Sequence, residues 1–570
     1  MSSLTTDKKT SLNIAFCTCL ILAIVFVAFF PSLKCGLVNW DDDNYVINNT
    51  SITSISVPNL KSIFGSFFAG HYMPLTILSY LLNYQFFKLN PFGYHLTNLI
   101  LHLLNCLLVF YLIYLLSRNI GVSFITAILF GIHPLHVESV AWVSERKDVL
   151  YSFFYLLSAI TYLYYLTREH KSRYYLISLF LFLCSLLSKS MAVTLPLLLL
   201  LMDYYLKRKP NRGAILDKIP YFCLSAISCI IVLFGLILST GGIRQEAHSS
   251  LFSILSVASY GIVFYLGKLF LPVKLSCLYP YYNFEYNPTY LYSIIAVILL
   301  LFIMALSVKY TRKLLFGAAF FLITLLPALQ FIPASTIIVA DRYAYIPSIG
   351  VFFILSTLIY WLYSKKLKIL SSVVVILIIL NLSFLTYNRC KVWKDGISLW
   401  SDALENYSDS PVIFNNRRLA YNNLGSAYAV RGEREKAVYA YKKAIEADPY
   451  YAESYNNLGV SLLELREYDK AFAALIKALE LKPDYVKAYS NLCAACGITG
   501  NFKQAIKVCG KAVELDPSSA SAHYNLSVAY YFDKQYNLAM THLQAALKLG
   551  WKAPPRFLKE IEQKLTHPKD

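Results

Sequence analysis

Residues 174–205 read YYLISLFLFLCSLLSKSMAVTLPLLLLLMDYY. Two apolar stretches, 174–188 and 192–205, flank one basic residue, Lys189, and neither shows the polar face of a surface helix. A spanning helix needs roughly 20 mostly apolar residues. Similar runs recur near 12–33, 95–116, 120–133, 149–166, 219–239, 251–270, 291–308, 314–331, 347–363 and 367–386. Across all 570 residues 57% are hydrophobic and only 15% charged, with a mean hydropathy of +0.51. That balance excludes an ordinary soluble enzyme and a disordered chain. An all-α, polytopic membrane protein is predicted, its 46 Tyr and 36 Phe supplying interfacial anchors.

The formal charge of +19 divides unevenly. From Arg418 onward stand 21 basic and 16 acidic residues, leaving 31 and 17 for the apolar part. The excess lies in short loops, as the positive-inside bias requires, and no basic stripe interleaved with aromatics appears, so nucleic acid is not an expected partner. Lys8–Lys9, Arg118, Arg168/Lys171/Arg173 and Lys207/Arg208/Lys209/Arg212/Lys218 occur at alternate loops and read as cytoplasmic. The first run lacks a small-residue cleavage site, which predicts an uncleaved first span. Segment 251–270, carrying Gly261, Gly267 and Lys268, reads as interfacial or re-entrant. With it set aside, about 11 spans follow, N-terminus inside and C-terminus outside. Loops 34–72, 133–148, 189–190, 241–290 and 332–346 then share the outer face.

Beyond the apolar part a 34-residue period sets in. Asn423-Leu424, Asn457-Leu458, Asn491-Leu492 and Asn525-Leu526 repeat in register, as do Ala437, Ala471, Ala505 and Ala539, and Pro449, Pro483 and Pro517. This is the tetratricopeptide signature, an α-solenoid whose groove takes a protein partner or acceptor. The expected division is a membrane domain at 1–390, a linker or half-repeat helix at 391–417, four repeats at 418–553, and a capping helix with tail at 554–570. Helices near 395–406 and 555–565 are expected to cap the solenoid. Cys493, Cys496 and Cys509 fall in packing columns and read as core-filling thiols, with neither a disulfide framework nor a zinc site expected.

Chemistry concentrates in the outer loops. Asp41-Asp42-Asp43 follows the first span; three adjacent carboxylates repel one another, which raises at least one pKa and suits a general base. Asp41 and Asp43 could also chelate a divalent cation, Mg2+ or Mn2+; a solvated acidic loop is the plainer alternative. A second group is His133, His136 and Glu138, then Glu145-Arg146-Lys147-Asp148. Arg146 and Lys147 could hold a phosphate while Glu138, Glu145 or Asp148 orients an acceptor, or the four could merely pair among themselves. The two His lack a third clear ligand, so no metal site is assigned. Lys189, Asp341 and Arg342 lie at outer ends of spans. Charges are nearly absent from the span centres, which disfavours an ion-coupled transporter.

The ordered series VNWDDDNYVINN (38–49), HYMPLTILSYLLN (71–83), NPFGYHLTNLILHLLN (90–105), GIHPLHVESVAWVSERKDVLY (131–151), SKSMAVTLPLLLLLMDYY (188–205) and ADRYAYIPSIG (340–350) resembles the transmembrane and tetratricopeptide-repeat O-mannosyltransferases, in a bacterial form. The resemblance covers nearly the whole chain and is weakest at 206–290. It implies a membrane glycosyltransferase of the GT-C class that uses a polyprenyl-phosphate sugar and acts on a protein or glycan hydroxyl. It places Asp41-Asp42 at the family's acidic pair, Asp43 being an extra acid. It further implies a bacterial inner-membrane protein with periplasmic repeats. On this reading Asp41 or Asp42 deprotonates the acceptor, while Arg146, Lys147, Lys189 or Arg342 stabilises the leaving phosphate. A membrane-anchored scaffold for envelope assembly is the rival, and it predicts that the acidic pair is dispensable.

Overall fold

The computed structural model describes residues 8–168, 171–240, 250–280, 288–331, 337–365, 367–407 and 416–566. Among these every regular element is helical, with one isolated β-bridge between Phe68 and His71. The chain forms two compact units, 1–413 and 414–570.

The first unit opens with α1 (Lys8–Phe29), α2 (Val57–Gly65), α3 (Pro74–Phe87), α4 (Pro91–Ser117), α5 (Ile120–Gly131) and α6 (Val137–Ala141). There follow α7 (Arg146–Thr167), α8 (Lys171–Ser188), α9 (Leu195–Tyr205), α10 (Arg212–Leu216), α11 (Ile219–Thr240) and α12 (Leu251–Phe270). It ends with α13 (Pro288–Ser307), α14 (Arg312–Leu325), α15 (Ser348–Ser364), α16 (Lys368–Val392) and α17 (Gly396–Glu405). Seven helical segments among the described residues are long and apolar enough to cross a bilayer, and a pair bent by 52°, 120–131 with 134–141, could make an eighth. The chain is therefore a multi-pass membrane protein. Eleven spans are not reached on length and composition, because segments such as α9 and α15 are shorter. Segment 251–270 also departs from expectation: α12 is an unbroken 20-residue helix and one of the seven.

The backbone from Ile132 to Glu145 is broken into short turns between α5 and α7. Non-helical backbone in a membrane protein needs protein partners, and one face of α4 supplies them. Asn98 Nδ2 donates to the carbonyls of Val140 (3.2 Å) and Trp142 (3.1 Å), and Asn105 Nδ2 to that of Val149 (2.9 Å). Between them His102 pairs with the Gly131 carbonyl and the Tyr345 hydroxyl. Asn98, His102 and Asn105 lie at helical spacing, so this polar spine is written locally in α4. Elsewhere small residues let helices close: a Cβ on Gly350 would run into the Gly317 carbonyl and lie 2.8 Å from the Phe321 nitrogen, across the α14–α15 crossing.

A separate charge cluster forms at the far end of α7. Lys218 and Arg208 each pair with both Asp203 and Asp217, beside the Tyr162 hydroxyl. Tyr162 stands sixteen residues beyond Arg146 in the same helix, about 24 Å along its axis.

Helix α17 covers the segment 395–406 read as a solenoid cap, and it falls in the first unit. It buries Leu399, Trp400 and Ala403 within the first unit. Trp400 Nε1 donates to Asn39 Oδ1 (3.2 Å), its ring lies 5.2 Å from Trp40, and Gly36 donates to the Lys394 carbonyl. The helix thus braces the acidic loop.

In the second unit four antiparallel pairs run from Arg417 to Lys548, and a last helix, Pro555–Thr566, buries Ile561 against Ala539 and Leu543. Cys493 and Cys509 are joined in a disulfide, which corrects the expectation of thiols. The columns explain it. A Cβ on Gly425 would meet the Tyr441 ring at 2.7 Å and one on Gly459 would meet Leu475 at 2.6 Å, so these columns face each other in each repeat. Cysteines occupying both come within bonding reach, their Cα atoms 5.4 Å apart. Cys496 is a buried free thiol.

Candidate active site

The first loop divides its three acids among different tasks. Asp42 is fully buried, with Oδ2 accepting from the Val38 N–H (2.9 Å) and Oδ1 from the Ser144 N–H (2.9 Å) and the Ser144 hydroxyl. Burial nevertheless pushes its carboxyl up to about 7, against those hydrogen bonds. It is a clamp that ties the loop to the turn preceding α7. Asp43 is half-buried, raised by burial, and opens a helical turn to Ile47 that buries Tyr45 and Val46. Asp41 is also half-buried, and makes no ion pair within 4 Å among the described residues. Its carboxyl is raised by burial, partly offset by Lys147 and Arg342.

Lys147, Glu145 and Arg342, whose charges act on Asp41, belong to a matched set. Glu145, 1% exposed, is the hub: it pairs with Lys147 (3.1 Å), Lys189 (3.3 Å) and Arg342 (3.4 Å). Asp148 takes Lys189 at 2.5 Å and the Ser139 hydroxyl at 3.1 Å, and Glu138 takes Arg342 at 2.5 Å. The three acids are sealed, whereas the side chains of Lys147, Lys189 and Arg342 keep 10%, 13% and 9% of their surface. An incoming anion therefore meets the cations first. Aromatic faces back them: Lys147 lies 5.2 Å from Tyr45, and Arg342 4.9 Å from Tyr343 and 5.7 Å from Trp142. Trp142 is in turn stacked between Trp40 and Trp393.

Four expected site residues lie elsewhere. Arg146 is fully buried, donating to Asn98 Oδ1 (2.8 Å), Asn83 and the Tyr94 carbonyl (2.8 Å), with its guanidinium over Tyr80. It points into the core and offers a phosphate nothing. His136 is held by the Phe130 carbonyl and the Ser348 hydroxyl, and His133 by the Leu269 carbonyl and the Leu135 N–H, both rings buried among aromatics. Asp341 accepts from the Tyr279 hydroxyl at 2.5 Å; burial, then the Glu138 charge, pushes its carboxyl up to about 7. Among the described residues no three His, Cys, Asp or Glu converge, at Asp41 and Asp43 or elsewhere.

Other members were not singled out from sequence. Tyr45 and Tyr343 sit in aromatic company that periodicity does not distinguish. His71 belongs to the cluster's electrostatic surroundings, although it lies some 75 residues from Lys147 in the chain.

An all-α membrane unit with an acid-and-cation cluster, carried ahead of a tetratricopeptide solenoid, defines the class of protein. The repeat models agree: "TPR repeat" matches residues 425–465 and 498–534, and "Tetratricopeptide repeat" matches 452–485. Among known proteins the chain is similar to Protein O-mannosyl-transferase F38B6.6 of Caenorhabditis elegans, 26% identical over 424 residues, covering 66% of this chain and 56% of the relative. It is similar to Protein O-mannosyl-transferase Tmtc1 of Drosophila melanogaster, at 33% over 35% of the chain and 24% of the relative. Human Protein O-mannosyl-transferase TMTC3 matches at 34% over 25% and 16%. The resemblance carried by the sequence motifs thus recurs in the names of these relatives, of whose length the chain spans about half or less. Among solved structures MamA covers 27% of this chain and 86% of its own, at 25% identity and a TM-score of 0.24.

Proposed function

We propose that the chain is a glycosyltransferase that moves a sugar, mannose or a similar hexose, from a polyprenyl phosphate to a hydroxyl acceptor, a protein Ser or Thr, on the outer face of the membrane. The observation that carries the reading is a half-buried Asp41, without an ion pair among the described residues, whose carboxyl feels Lys147 and Arg342, two of the three partly open cations that Glu145 holds together. The relatives named protein O-mannosyl-transferases supply the reaction class.

In the proposed step Asp41 takes the proton of the acceptor hydroxyl as its oxygen bonds to the anomeric carbon. The bond from that carbon to the phosphate oxygen breaks on the opposite side, with inversion. Its electron pair leaves on the polyprenyl phosphate, whose added charge Lys147, Lys189 and Arg342 meet. Glu145 pre-orders these cations, so little reorganisation accompanies the transfer. Asp42 holds the loop, Asp43 keeps the expected supporting place beside the base, and the repeats recruit the acceptor or a protein partner. The Cys493–Cys509 disulfide fits an oxidising compartment for the repeats, consistent with a bacterial inner-membrane protein whose C-terminal unit is periplasmic.

The test is transfer of labelled sugar from polyprenyl-phosphate donors in membranes containing the full chain. Label on protein with wild type and none with Asp41→Asn is expected. Absence of transfer from any donor by a correctly inserted protein would replace this reading with the scaffold.

A further inference from the structure

We propose that the cleft between α1, α5, α15 and α16 binds one anionic phospholipid of the bilayer, with an acyl chain between the helices and the phosphate among Arg118, Lys365 and Lys368. The site lies at the opposite end of α16 from the acid-and-cation cluster and does not depend on the proposed sugar transfer.

The cleft measures about 570 Å³. It opens because α16 is packed unevenly. Toward the cluster this helix buries Leu382, Thr386 and Cys390, and Thr386 donates to the Ile132 carbonyl at 2.6 Å; toward Lys368 it buries Ser371 alone. Beside that loose half, Leu20 and Ile24 of α1, Phe124 of α5 and Ile359 of α15 form an apolar wall with Ile376 and Leu380. Gly121 sets the width at one end, since a Cβ there would lie 3.0 Å from the Tyr360 ring. From Ser371 to Leu380 the cleft follows α16 for about 14 Å. One leaflet is half of a hydrocarbon core roughly 30 Å thick. The depth therefore fits the acyl chain of a phospholipid from the near leaflet and falls short of a polyprenyl tail.

The mouth is polar, and its charge has one sign. Ser371, Ser372 and Tyr363 line it, and Tyr360 stacks on Tyr363 at 6.2 Å, the kind of aromatic rim found at a membrane interface. Lys368 Nζ lies 6.0 Å from the Tyr363 ring, Lys365 stands two residues beyond Tyr363, and Arg118 caps α4 three residues before Gly121. All three cations are exposed, and α1, α5, α15 and α16 contain no Asp or Glu. The acids of the cluster are too far away to neutralise them: Trp393, just past the other end of α16, stacks on Trp142, and the 25 residues of the helix put Lys368 about 37 Å from there. A basic, aromatic-rimmed mouth over an apolar cleft matches a phosphate headgroup that carries an acyl chain.

The full chain, purified in detergent, is titrated with palmitoyl-oleoyl phosphatidylglycerol and, separately, with phosphatidylcholine of the same chains; bound lipid is counted by native mass spectrometry. Wild type is expected to hold one phosphatidylglycerol, with an affinity about 10-fold or more above that for phosphatidylcholine. Each lysine near the headgroup is worth about 5-fold. Lys365→Gln combined with Lys368→Gln should therefore weaken phosphatidylglycerol binding about 25-fold and leave phosphatidylcholine unchanged. Ile376→Trp puts a ring into the cleft at a position 55% exposed, and it is expected to remove the bound lipid. Equal affinity of wild type for the two lipids overturns the inference, and this result needs no variant to fold. Phosphatidylglycerol binding that persists undiminished in either folded variant also overturns it. Displacement of phosphatidylglycerol by equimolar polyprenyl phosphate overturns it too, because the cleft then belongs to a polyprenyl tail.

Discussion

Replacing Asp42 by Asn tests the division of labour in the acidic loop. In wild type each carboxylate oxygen accepts from a buried backbone N–H, that of Val38 or that of Ser144. Asparagine keeps one acceptor oxygen and turns an NH2 toward the other donor. One backbone N–H is then left without a partner, at a cost of about 1–3 kcal/mol. Proton linkage gives a second signature. The folded chain holds the Asp42 proton up to about pH 7, against an ordinary value of 3.8. Between those values the folded state binds a proton that the unfolded state has released, so this site's contribution to stability falls as pH rises and levels off above 7. From pH 5 to pH 8 the fall is about 3 kcal/mol, and Asp42→Asn lacks it. The variant should therefore be more damaging at pH 5 than at pH 8. Tryptophan fluorescence during denaturant unfolding of the detergent-solubilised chain reports it, because Trp40 stacks on Trp142 at 4.6 Å in this loop. Equal stability of the two proteins, with equal pH slopes, would refute the clamp.

Arg146→Lys should lower stability by about 3 kcal/mol, since an ammonium cannot reproduce the fork to Asn98, Asn83 and the Tyr94 carbonyl; donor affinity in the folded fraction should be unchanged, and weaker binding would return Arg146 to the phosphate site. Gly350→Ala should destabilise the α14–α15 crossing by about 1–3 kcal/mol through overpacking, read as a fall in melting temperature that an unchanged value would contradict. Alkylation of the denatured, unreduced chain should find 10 free cysteines and spare Cys493 and Cys509; reduction should cost the repeat unit about 3 kcal/mol for a loop of 16 residues, and 12 alkylated thiols would rule the disulfide out.

Much of the architecture is legible without coordinates because it repeats. The 34-residue columns and the long apolar runs are local patterns, and local patterns map directly onto helices. The acids and bases of the loops between spans are legible as a group for the same reason. Their roles are not. Asp41 and Asp42 are adjacent and chemically identical, and only Ser144, some hundred residues away in sequence, makes one a clamp. Arg146 looks like a phosphate ligand beside Lys147, but consecutive helical residues point about 100° apart, which sends the first into Asn83, Asn98 and Tyr94. The disulfide was within reach of sequence: Cys493 shares a column with Gly425 and Gly459, and Cys509 one with Tyr441, so pairing those facing columns would have found it. Helix α17 carries an amphipathic pattern that suits a solenoid cap as well as a brace on Trp40, and its sequence does not choose between them.

The most direct test of the central claim is sugar transfer by Asp41→Asn beside wild type, with melting temperature measured on the same preparations. A base in contact with the acceptor predicts a loss of about 10²–10⁴-fold in transfer rate with melting unchanged. Transfer at the wild-type rate by the folded variant would contradict it and move the base away from Asp41.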